Sequence, residues 1–165
     1  MRPETYPLSV GCARLSVEEG FLLVVEQGDP ATAEEMTRYF AAIDRALQTA
    51  NLTSLLIVAQ KTAAVPEGKP VRSGGPGRDG PGATKAAGVS VPPSALSPEW
   101  KAIREARWRA LAKSRAKRIA VIVDDELAVT RVQMAAVAAR APVRPFTDEA
   151  DARAWLRESR SSAPG

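Results

Sequence analysis

Three short runs, residues 21–25 (Phe-Leu-Leu-Val-Val), 55–59 (Leu-Leu-Ile-Val-Ala) and 119–123 (Ile-Ala-Val-Ile-Val), are apolar at every position. In an extended chain such runs expose apolar side chains on both faces, so each must lie between covering layers. The first supplier of a layer follows residue 30. Thr32 and Glu35 have capping-box spacing, and Met36, Phe40, Ile43 and Leu47 then recur every three or four residues, with Glu34, Arg38 and Arg45 facing away. Asn51 ends this helix, and the 55–59 strand follows.

The remaining elements repeat the alternation. Residues 8–17 form a first strand with Ala13, Leu15 and Val17 on one face, joined through Glu18-Glu19-Gly20 into a hairpin and expected at the edge of the sheet. Ser97-Pro98-Glu99 starts a second helix, whose apolar arc holds Trp100, Ile103, Ala106, Ala110 and Leu111, with Trp108 on its border. Both tryptophans are expected in the core. Arg107 falls inside that arc, which calls for a snorkelling side chain or a carboxylate partner, and snorkelling is the expectation because it needs no partner. Residues 128–141 form a nearly all-apolar helix with Val129, Val132, Met134 and Val137, stopped by Pro142. Val143-Arg144-Pro145-Phe146 is a last strand, demoted to an edge by its proline. Thr147 is expected to cap a final helix over 148–157 that contributes Ala150, Ala154, Trp155 and Leu156.

The order β-β-α-β-α-β-α-β-α predicts one α/β domain over residues 8–158, a mixed and mostly parallel sheet flanked by helices with right-handed crossovers. Within it, residues 61–98 hold 7 of the 11 glycines and 7 of the 13 prolines, a composition that cannot bury enough surface to offset ordering entropy. A disordered insertion is expected there, and a loose tail over 159–165.

Composition removes several chemistries. The chain has no histidine and one cysteine, Cys12, which excludes Ser-His-Asp and Cys-His catalysis, thiolate zinc sites and internal disulfides. No catalytic residue, metal or cofactor is implied. No apolar run approaches the ~18–20 residues of a membrane span, and the opening Met1-Arg2-Pro3-Glu4 lacks the apolar core of a secretory signal, so the cytoplasm is the expected location. The formal charge is +4, yet residues 97–118 alone hold eight basic side chains against two acids. One helix therefore carries the whole excess, and Lys101, Arg104, Arg109 and Lys113 on it form a candidate partner-binding face. An acidic protein partner fits these charges. Nucleic acid is the weaker alternative, since the same charges suit any outer helix.

Two motifs tempt without holding. Asp124-Asp125 after the third run looks like the opening of a response-regulator receiver, but too few residues follow to supply the rest of that site. The glycines at 75, 77, 80 and 82 lack the Gly-Lys-Ser/Thr of a phosphate loop. A ligand could still meet the strand ends, where Lys61 and Thr62 follow one central strand and Asp124 and Asp125 the other. That placement defines a second candidate site, for a lipid or nucleotide carrier.

The element order, the strands at 21–25 and 55–59, the Trp100 helix and the closing run from Val143-Arg144-Pro145-Phe146-Thr147-Asp148 to Ala154-Trp155-Leu156 together resemble the SpoIIAA-like (STAS/SEC14-type) bacterial domains. The resemblance implies a four- or five-stranded mixed sheet with helices and a mainly noncatalytic, regulatory or ligand-sensing role. A protein-interaction or regulatory module is the expected function, with a homodimer among the expected assemblies. In the anti-sigma antagonist branch a Ser or Thr in an Asp-x-Ser setting after the central strand is phosphorylated. The matching stretch here reads Ala59-Gln60-Lys61-Thr62-Ala63-Ala64, with no Asp-x-Ser, and Thr62 is a poor counterpart.

Overall fold

The computed structural model describes residues 2–60 and 97–161. The insertion expected over 61–98 lies outside the described residues except for Ser97 and Pro98, which begin a helix. Among the described residues, six strands form one sheet: β1 Glu4–Pro7, β2 Val10–Glu18, β3 Phe21–Asp29, β4 Ser54–Ala59, β5 Arg118–Ile122 and β6 Val143–Phe146. Four helices among these residues accompany them: α1 Ala33–Thr49, α2 Pro98–Lys113, α3 Glu126–Ala139 and α4 Glu149–Ser161.

Strand order across the sheet equals order along the chain. The strands β1, β2 and β3 are antiparallel neighbours, whereas β3 through β6 run parallel. Leu55 pairs with Ile119 and Ile57 with Val121, so the two central apolar runs lie side by side. The expected α/β domain with a mixed, mostly parallel sheet is what forms, with one strand more than foreseen. The expected edge strand is the interior β2, because β1 lies outside it. Glu4-Thr5-Tyr6-Pro7 has no apolar alternation to announce a strand. It is held by backbone pairing, with Tyr6 opposite Ala13, and by the Tyr6 ring lying 5.5 Å from that of Tyr39.

When a parallel sheet advances in one direction, right-handed crossovers place every connecting helix on the same side. Leu22, Val24, Leu55, Ile57 and Ile119 accordingly pack with α1, α2 and α3 in one cluster, while Phe21, Leu56 and Ala120 on the other face meet α4 through Ala152 and Leu156. Helix α1 follows its predicted stripe and adds Tyr39 and Ala46 to it. The Thr32 hydroxyl accepts from the Glu35 N–H at 3.0 Å, and the Glu35 carboxylate accepts from the N–H groups of Ala31 (2.7 Å) and Ser9 (2.6 Å). Those donations, that of Ala31 foremost, hold Glu35 below its ordinary carboxylate pKa.

Helix α4 departs from expectation in detail. Asp148 rather than Thr147 caps it, its carboxylate accepting from Ala150 N–H at 2.7 Å and Asp151 N–H at 3.2 Å. The helix continues to Ser161, past the expected end at 157 and into the stretch foreseen as tail, because no glycine or proline interrupts it before Pro164. Leu156, its largest aliphatic side chain, sets the buried direction. Ala152, one turn earlier, is therefore buried, while Ala150 and Ala154 are exposed. Trp155 is half-buried between two guanidinium groups, Arg118 at 4.9 Å and Arg144 at 5.6 Å from its ring.

Candidate functional site

Helix α2 is fastened on one flank by a buried polar cluster. Arg107 donates to both carboxylate oxygens of Glu26, each at 3.1 Å, and the Tyr39 hydroxyl donates to Glu26 Oε1 at 3.0 Å. Glu26 is buried within the second half of β3, and Arg107 also lies 5.7 Å from the Phe40 ring. The expected snorkelling is thus overturned: burial would lower the Arg107 pKa, but the Glu26 carboxylate outweighs it and keeps the guanidinium charged. Burial, with the Glu26 charge adding to it, drives the Tyr39 hydroxyl upward and keeps it a neutral donor. At the carboxyl end of α2, Asp44 of α1 accepts from Ser114 Oγ at 2.6 Å and from the Arg115 N–H at 3.2 Å.

Among the described residues, the other flank of α2 is open. Between α2 and α3 runs a groove of about 780 Å³. Trp108, Ala112, Val132, Ala135, Ala138 and Ala139 contribute apolar surface to it, and its charged side chains are Arg104, Arg109, Lys113 and Arg131 with Glu105 as the one acid. Three of the four residues proposed from sequence for partner binding, Arg104, Arg109 and Lys113, line this groove. Lys101 is exposed one turn before Arg104 and outside the lining.

Helix α3 continues the apolar surface outward. Its buried residue is Ala136, while Leu127, Met134 and Val137 are 60%, 69% and 68% exposed. The sequence placed both tryptophans in the core. Trp108 is half-buried, packed against the core and lining the groove, whereas Trp100, in the first turn of α2, is 37% exposed.

A smaller cavity of about 300 Å³ lies at the carboxyl ends of β4 and β5, lined among others by Ala59, Arg107, Trp108, Asp124 and Ala128. Trp108 and Val132 border both cavities. Asp124 thus reaches the strand-end location proposed from sequence. Asp125 does not line the cavity, and its carboxylate caps α3 by accepting from the Ala128 N–H at 2.7 Å. Lys61 and Thr62, the other two strand-end candidates, lie outside the described residues. Among the described residues no group of three or more His, Cys, Asp or Glu could hold a metal ion. No helix among them is long and apolar enough to cross a membrane.

Sequence reading overlooked the groove's far wall on α3 and the Glu26–Arg107–Tyr39 cluster. A signal for the cluster existed: Glu26 is the first charge after an apolar strand, and Arg107 the one charge inside an apolar arc. Each of these two local exceptions is the other's remedy.

Comparison with known proteins agrees with the sequence resemblance. Residues 86–157 match the SpoIIAA-like family. The match runs from ahead of α2 into α4 and so contains both walls of the groove, but leaves out β1 to β4. No curated protein and no solved structure matches the chain.

Proposed function

We propose that this SpoIIAA-like domain is a noncatalytic, cytoplasmic regulatory module that binds a protein partner through the helical layer formed by α2 and α3. The observation that carries the reading is the groove itself: an apolar trough rimmed by four cations, flanked by an apolar helix face that the described residues leave uncovered. Contiguous exposed apolar surface of this kind, with a charged rim, marks interaction sites. Among the described residues, two polar groupings beside the groove serve to fasten helices. Glu26, Arg107 and Tyr39 bond one another, and Asp125 bonds a helix end.

Capture from lysate with the intact chain, followed by reconstitution from purified components, tests the reading. The expected outcome is one protein partner retained by the wild type and lost with Arg104→Glu plus Arg109→Glu. Turnover of an ester, phosphate or nucleotide substrate that Asp124→Ala abolishes would overturn it.

A second reading, a small-ligand carrier, is supported by the strand-end cavity beside Asp124 and Arg107. A ligand retained in native mass spectrometry and lost on Ala128→Trp favours it.

A further inference from the structure

Resting on the interaction-module reading, we propose that the α2–α3 groove receives an amphipathic helix of a partner protein, apolar on the side that enters and acidic along its flanks. Three observations select that occupant. The first is shape. Both walls are helices that follow parallel strands on one side of the sheet, and Ala112, Ala135, Ala138 and Ala139 leave room between them. Small residues let a third helix approach within the ~8–10 Å typical of packed helices, and Trp108 and Val132 offer surface for its apolar side chains.

The second is charge. Arg104, Arg109 and Lys113 stand on one wall and Arg131 on the other, against Glu105 alone. A helix laid between them passes cations on both sides, so acidic flanks are attracted and basic flanks repelled. This argument also excludes the chain's own residues 61–96 as occupant, since they carry five basic side chains against two acids.

The third is the crest of α3. Leu127 and Met134 are seven residues apart, so helical periodicity places them on one line, beside Arg131, Ala135 and Ala138 of the groove. An incoming helix wider than the trough covers them too. Single-stranded nucleic acid fits less well, because it requires exposed aromatic rings on which to stack, and the groove's one aromatic is half-buried in its wall.

The test uses the full chain and a 16-residue synthetic helix with leucine at every third or fourth position and glutamate elsewhere. A matched peptide with lysine in place of glutamate, anionic phospholipid vesicles and single-stranded RNA serve as competitors. Binding is read by calorimetry and by tryptophan fluorescence. The acidic peptide is expected to bind, more weakly as salt rises, and the lysine peptide is not. Arg109→Glu with Arg131→Glu should weaken the acidic peptide about tenfold or more, roughly the size of two lost charge contacts. Ala138→Trp, which fills the trough and removes no charge, should abolish binding with the unfolding temperature retained.

Equal affinity for both peptides, or an affinity unchanged by Ala138→Trp, overturns the proposal. So does displacement of the acidic peptide by vesicles or RNA with tighter binding of either, and so does a self-association that Met134→Glu dissolves. If no peptide binds while Arg104→Glu plus Arg109→Glu still releases the natural partner, the helical occupant is wrong and the module reading stands. If that partner is also unaffected, both fall.

Discussion

Helix α2 has α1 on one flank and α3 on the other, and the two contacts are made differently. Toward α1 the chain uses an amphipathic helix whose apolar residues share one stripe, a doubly bonded Arg107–Glu26 pair and the Asp44 clasp on Ser114 and Arg115. Toward α3 there is a groove, and the neighbouring helix is apolar on nearly every side but buries little. Apolar content alone therefore does not decide burial. The direction in which it is concentrated does: α1 spends its large side chains on one face, whereas α3 turns Leu127, Met134 and Val137 outward.

Three experiments probe this contrast, the largest expected effect first. Arg107→Ala should cost about 3–5 kcal/mol in chemical denaturation, because it leaves Glu26 buried without its cation. Combining Arg107→Met with Glu26→Gln should restore much of that loss. A single variant as stable as the wild type would mean that the closed flank does not depend on the pair.

Next, Leu47→Ala in α1 should destabilise by about 2–5 kcal/mol, as expected for a fully buried leucine, whereas Met134→Ala in α3 should stay within about 0.5 kcal/mol. Comparable losses at both positions would erase the distinction between the flanks. The smallest effect concerns acid. Glu35 holds the start of α1 with its pKa below the ordinary 4.5, so its contribution is complete above that value and disappears as pH falls through the lowered one. Glu35→Gln should lower stability slightly at neutral pH and flatten the profile below about pH 4.5, so that the two proteins converge in acid. An identical acid limb in both proteins would assign the acid sensitivity elsewhere.

Local pattern made much of the fold legible. The three apolar runs became β3, β4 and β5, the 36–47 stripe became the buried side of α1, and Ser97-Pro98 opened α2. What escaped depends on partners far along the chain. β1 exists because β2 offers backbone groups to pair with, and Arg107 meets Glu26 across 81 residues. Trp100 looked like core because helical projection gives an apolar direction without saying whether another element stands there. The candidate site was half visible for the same reason. Its cations declared themselves as a run, but its alanine trough arises only when α2 and α3 lie side by side.

The outermost strands have a consequence for how this molecule meets others. β1 closes on Pro7 and β6 carries Pro145, and each pairs with only one neighbour in the described structure. An imino residue has no hydrogen to offer an arriving ribbon, so both rims of the sheet discourage lateral growth and fibril-like stacking. Association is thereby steered away from the hydrogen-bonding margins and onto side chains.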